Sequence, residues 1–101
     1  MADDRWQHLV ADAEGGDVTL GKMFGSEGLR TGTKFFAIWW HDQLVAKLPP
    51  TRLTELVEAG AGQPFEPMEG RRMNGWIVLR ESVDWPPLIE EARAFVAAQT
   101  A

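Results

Sequence analysis

Lys34-Phe-Phe-Ala-Ile-Trp-Trp40, His41-Asp42, Gln43-Leu-Val-Ala-Lys-Leu48 and Pro49-Pro50 together decide how the chain folds. Two runs rich in aromatic and β-branched residues stand either side of two polar ones. That is the pattern of a β-hairpin turning at His41-Asp42. Pro49-Pro50 stops the second run, since proline has no amide hydrogen to give to a ladder. It also opens a helix, whose first turn needs no such hydrogen. Leu53, Leu56 and Val57 give that helix its apolar stripe, and Gly60 or Gly62 closes it.

Upstream, Lys22-Met-Phe24 and Gly28-Leu-Arg30 read as one strand interrupted by Gly25 and Gly28, which makes a three-stranded meander with the hairpin. Before it, Trp6, Leu9, Val10 and Ala13 recur at helical spacing, behind an N-cap at Asp3 or Asp4 and ahead of a stop at Gly15-Gly16. Downstream, Gln63–Met73 is loop-like around Pro64 and Pro67, with a short strand expected at its end. Trp76–Arg80 is a strand, and Asp84 caps a last helix striped by Trp85, Leu88, Ala92, Phe95 and Val96. The predicted fold is α+β, α-β3-α-β2-α, a mainly antiparallel sheet with helices packed on it. Residues 1–101 form a single domain, without repeats or a linker.

The strands lack the alternation of a sheet with one wet face. Strict alternation puts Phe35, Ala37 and Trp39 on one side and Phe36, Ile38 and Trp40 on the other, all apolar. Both faces must therefore be covered. A second copy of the chain is the expected cover for the second face, and wrapping by the chain's own helices and loops is the alternative.

Composition narrows the function classes. The chain has 101 residues, 45% hydrophobic and 25% charged, which suits a globular domain rather than a disordered one. It has no cysteine, which removes disulfides, thiol nucleophiles and thiolate metal sites. The start, MADDRWQHLV, is acidic where a secretory leader is basic, and no apolar run approaches the roughly 20 residues that cross a bilayer. The expected compartment is the cytoplasm, and no membrane partner is expected. A net charge of −5 disfavours nucleic acid, although Lys22, Arg30, Lys34, Arg71 and Arg72 stand among few acids.

No catalytic set assembles from spacing. His8 and His41 have no companions at metal-ligand intervals, and no metal or other cofactor is expected. Ser26, in Gly25-Ser26-Glu27-Gly28, lacks a nucleophile elbow. Gly28-Leu-Arg-Thr-Gly32-Thr-Lys34 fails the Walker spacing, and Glu27 stands inside a KH-like Gly-x-x-Gly. Phe35, Phe36, Trp39, Trp40 and Trp76 are of the type that stacks on bases, but aromatic residues on strands are more often core or interface.

The combination Lys22-Met-Phe-Gly-Ser-Glu-Gly-Leu-Arg30, Lys34–Trp40, Leu44-Val-Ala-Lys-Leu-Pro-Pro50, Glu58-Ala-Gly60, Gln63-Pro-Phe-Glu-Pro67, Arg71-Arg-Met-Asn-Gly-Trp-Ile-Val78 and the Trp85 helix resembles the TfoX N-terminal-domain family over roughly residues 5–98. The resemblance implies a secretion-chaperone-like (YjbR-like) α-β3-α-β2-α fold, whose members commonly pair into dimers, and no catalytic residue to carry over. Its namesake, a competence regulator, carries a second helical domain after this one. By the resemblance Gly25 and Gly28 are backbone bends and Phe65 is a plug.

The expected function is that of a small non-enzymatic protein-interaction domain with a regulatory role, pairing with itself and with an unknown protein. Its interaction surface is placed on Trp39, Trp40, Arg71 and Arg72. The alternative is a nucleic-acid-binding module using Lys22, Arg30, Lys34, Arg71 and Arg72.

Overall fold

A computed structural model describes residues 2–23 and 25–100. In chain order its elements are α1 (Ala2–Ala13), β1 (Val18–Met23), β2 (Ser26–Thr31), β3 (Lys34–Trp40), β4 (Gln43–Lys47), α2 (Pro50–Glu58), β5 (Gly62–Pro64), β6 (Trp76–Leu79) and α3 (Trp85–Thr100). The six strands form one antiparallel sheet in the order β1-β2-β3-β4-β6-β5. The class is therefore α+β, as the sequence indicates.

Local chemistry accounts for most of the boundaries. The β3–β4 turn holds His41 and Asp42 at φ of 47° and 61°, the paired positive values of a tight hairpin whose twist matches its strands. Pro49 caps α2 and Pro50 fills its first position. At the other end, Gly60 (φ 75°) donates to the Val57 carbonyl and Ala61 donates to that of Leu56, closing the helix in a Schellman motif.

Three boundaries differ from the sequence reading. The interrupted strand is two strands, since Gly25, at φ 76°, turns the chain back so that Lys22 faces Glu27 and Met23 faces Ser26. Four strands thus precede α2 where three were expected. The strand expected at the end of Gln63–Met73 lies at its start, as β5. Helix α1 begins at Ala2, so Asp3 and Asp4 belong to its first turn rather than capping it.

The alternation within β3 also differs. Leu29 faces Ala37 while its neighbour Arg30 faces Phe35, which leaves Phe36 as an extra residue in a β-bulge. Phe36, Ala37 and Trp39 consequently join one apolar cluster, and Phe35, Ile38 and Trp40 join the other. The first cluster carries all three helices: Trp6 and Leu9 from α1, Leu56 from α2, and Trp85, Leu88, Ile89, Ala92 and Val96 from α3, against Leu29, Leu44, Ala46, Ile77 and Leu79 of the sheet.

On the opposite face Ile38 and Val45 are fully buried within one chain. Phe65 and Met73, from the segment between β5 and β6, lie over them. The chain's own loop thus covers the centre of the face for which a second copy was expected. Phe35, Trp40 and Val78 remain half-buried at its rim.

Candidate functional site

The tryptophans show how the two faces are used. Trp39 points to the helix side, stacked on Trp6 at 5.8 Å between ring centres and meeting Trp85 edge-on at 6.0 Å. The Trp6 indole N–H donates to Glu27 Oε1 (2.9 Å) and that of Trp85 to the Arg80 carbonyl (2.8 Å), so both buried rings are satisfied. Arg5 lies 3.6 Å over the Trp85 ring and donates to the Glu81 and Val83 carbonyls, tying α1 to the turn before α3. This is structural packing.

Trp40 takes the other side. Its ring stacks on the exposed His41 at 4.3 Å and meets Phe65 edge-on at 5.7 Å. It borders an open depression of about 380 Å³ lined by Gln43, Gln63, Pro64, Phe65, Glu66, Arg72 and Val78. Neighbouring strands position these groups: β3 supplies Trp40, β4 Gln43, β5 Gln63 and β6 Val78, and the segment between β5 and β6 brings Glu66 and Arg72. A half-buried indole, two amides, a carboxylate and a guanidinium can stack and hydrogen-bond a polar ligand. They do not form a nucleophile–base–orienter set.

Of the expected surface, the depression joins Trp40 and Arg72. Trp39 lies in the helix-side core, on the opposite face. Arg71 is exposed on the segment that covers the loop side, in a turn where its amide donates to the Met68 carbonyl (2.8 Å). The five basic residues of the nucleic-acid alternative are divided between the faces. Arg30 is paired with Phe35 on the loop side, where it donates to Thr19 Oγ1 (3.0 Å). Lys22 (opposite Glu27) and Lys34 (opposite Thr31) belong to the helix side. His8, exposed on α1, and His41 lie on separate elements, and Ser26 opens β2 opposite Met23.

Gln43, Gln63 and Glu66 were not singled out from the sequence. Gln63 and Glu66 lie within the Gln63–Pro67 motif, and the pairing of β6 with both β4 and β5 brings Gln43 beside them.

A family model for the TfoX N-terminal domain matches residues 9–91, from α1 through the whole sheet into α3. The chain belongs to that family. No curated protein matches it. The features that carry the likeness now have physical roles in this TfoX N-terminal domain. Gly25 makes the β1–β2 turn, Pro49-Pro50 switches the chain from β4 to α2, and Phe65 is buried as the loop-side plug. Gly28 makes room for an aromatic ring: a Cβ there would meet Phe35 Cδ1 at 2.8 Å and the Ala37 carbonyl at 2.9 Å. Phe24 of the Met-Phe-Gly motif lies outside the described residues. Among the described residues no helix is long and apolar enough to cross a membrane, and no three His, Cys, Asp or Glu side chains converge as metal ligands do.

Proposed function

We propose that this TfoX N-terminal domain is a non-enzymatic, cytoplasmic interaction module, regulatory in role, that pairs with itself and binds a partner protein at the Trp40–Arg72 depression. The observation that carries the reading is the composition of that depression. Trp and Arg are the residue types that anchor protein interfaces, and here they flank amides suited to the backbone of an extended segment. The regulatory part rests on the family alone. A nucleic-acid reading has less support, because its five cations do not form one surface and the chain carries a net charge of −5.

The test is a quantitative pull-down with the wild-type chain, Trp40→Ala and Arg72→Ala side by side. A protein retained by the wild type and lost by both variants supports the site. A set of bound proteins identical for all three overturns it. A labelled DNA duplex is titrated in parallel, and tight binding that collapses as salt rises would move the function to nucleic acid.

A further inference from the structure

The two edges of the sheet are protected unequally. Strand β5 is three residues long, ends in Pro64, which has no amide hydrogen, and packs against α2. Strand β1 has six residues, no proline and a single charge, Lys22. Its Leu20 is one of three large apolar side chains left exposed among the described residues, at 38%.

Backbone directions on β1 follow from one bridge. Val18 exchanges both of its hydrogen bonds with Gly15, at 2.9 and 3.1 Å, so its N–H and C=O point away from β2. The Asp17 carbonyl, one residue earlier, points the other way and accepts from Gly32. By the alternation of an antiparallel ladder, the N–H and C=O of Leu20 and Lys22 also point outward, while Thr19, Gly21 and Met23 bond to β2. Gly15 already occupies the outward groups of Val18, so the open edge is Thr19–Met23.

We infer that this edge pairs antiparallel with the same edge of a second copy, about a two-fold axis through Gly21. The inference rests on the self-pairing reading above and gives it a place and a register. Two-fold pairing of identical strands keeps each side chain on its own face only if opposed residue numbers sum to an even value. A centre at Leu20 would drive Lys22 against the Val18 already held by Gly15. A centre at Lys22 would oppose two ammonium groups.

The Gly21 centre sets Leu20 against Lys22 of the second copy, and each pair exchanges both of its outward hydrogen bonds. All four outward groups of each copy are used. The aliphatic stem of Lys22 covers the exposed Leu20 of the other copy. At the axis Gly21 meets Gly21, and the Phe35 ring, whose Cζ lies 3.1 Å from where a Gly21 Cβ would be, reaches the seam on the loop side.

The chain has no cysteine, so engineered pairs report the register directly. Opposed residues in an antiparallel ladder have Cα atoms about 4.5–5.5 Å apart, within disulfide range. Leu20→Cys and Lys22→Cys chains, mixed and mildly oxidised, should give a disulfide-linked dimer that neither forms alone. Sedimentation of the wild type at high micromolar concentration should show a dimer. Leu20→Pro should abolish it while the monomer stays folded, because that amide is not in the β1–β2 ladder. Trp40→Ala should leave it intact.

A wild-type chain that sediments as a monomer overturns both this inference and the self-pairing reading. A dimer without the mixed cross-link, or one in which Leu20→Cys links to itself, overturns the Gly21-centred edge and leaves self-pairing standing.

Discussion

The helix side of the sheet is buried by three helices whose apolar stripes interlock over five strands. The loop side is buried by a turn-rich segment that lowers one phenyl ring and one thioether onto two strands. The helix side owes its cover to regular periodicity, and each residue there has neighbours from several elements. The loop side depends on Phe65, held by backbone bonds of its amide to Trp76 and of its carbonyl to Met73. A helix-packed face loses little surface when any single contact loosens. A plugged face opens when its plug leaves, and the exposed Met68 (66%) at the tip of the segment shows how little lies above it. The rim of that second face holds the half-buried Phe35, Trp40 and Val78.

The sharpest way to break the comparison is to empty each side once. Phe36→Ala, in the helix-side core and fully buried, should cost about 3–5 kcal/mol, seen as a fall of about 12 °C or more in the thermal midpoint. Phe65→Ala should cost less, about 2–3 kcal/mol, because the opened rim admits water and leaves no sealed cavity. Hydrogen exchange should show amides between Phe65 and Trp76 losing protection before those of α3. If both variants lose protection uniformly, the two faces are one cooperative unit and the contrast drawn above is wrong.

Gly28→Ala tests how closely Phe35 lies on the sheet. The added methyl meets the ring and the Ala37 carbonyl below 3.0 Å, and about 1–3 kcal/mol should be lost. Adding Phe35→Ala should relieve part of that loss, and strict additivity of the two changes would remove the packing account.

The smallest effect belongs to the surface of α3. Arg93 donates to both oxygens of Glu90, and this holds the Glu90 carboxyl below the usual carboxylate range, against a smaller opposing effect of burial. Because the folded value is the lower one, the stabilisation is present above the unfolded pKa and fades as pH falls through the folded one. With Glu90 two-thirds exposed, Glu90→Gln should change stability by under about 0.5 kcal/mol at neutral pH and by less in acid. A loss above about 1 kcal/mol would mean that this exposed pair contributes more than surface ion pairs ordinarily do.

Much of this architecture is legible in the residues. The His41-Asp42 hairpin, the Pro49-Pro50 switch, the α2 stop and the stripes of α1 and α3 each carry a local signal strong enough to survive tertiary context. Strand β1 does not, since Val-Thr-Leu-Gly-Lys-Met mixes a glycine and a lysine into a weak strand former. Nor does β5, three residues ending in proline, which are held in the sheet by β6. The candidate site was half legible. Trp40 and Arg72 stand out by type, whereas Gln43 joins Gln63 and Glu66 only through the pairing of β4 and β5 with β6, distant in sequence. The skip at Phe36, which puts Phe35 beside Ile38 and Trp40, was not legible, because Phe-Phe-Ala-Ile is apolar throughout and an alternation without polar residues carries no mark of where it skips.

That skip sets the parity of the strand. Counted forward from Lys34 on a regular ladder, Trp39 would fall beside the loop and Trp40 beneath the helices. Counted backward from the hairpin turn, they fall where the structure has them. Phe36 is the one residue by which the two counts disagree. Deleting it would keep every other side chain of β3 on its present side and remove only a phenyl ring from the core. Straightening the bulge with Phe36 retained would carry Trp39 away from Trp6 and Trp85 and break one contact that both the first and last helices make with the sheet.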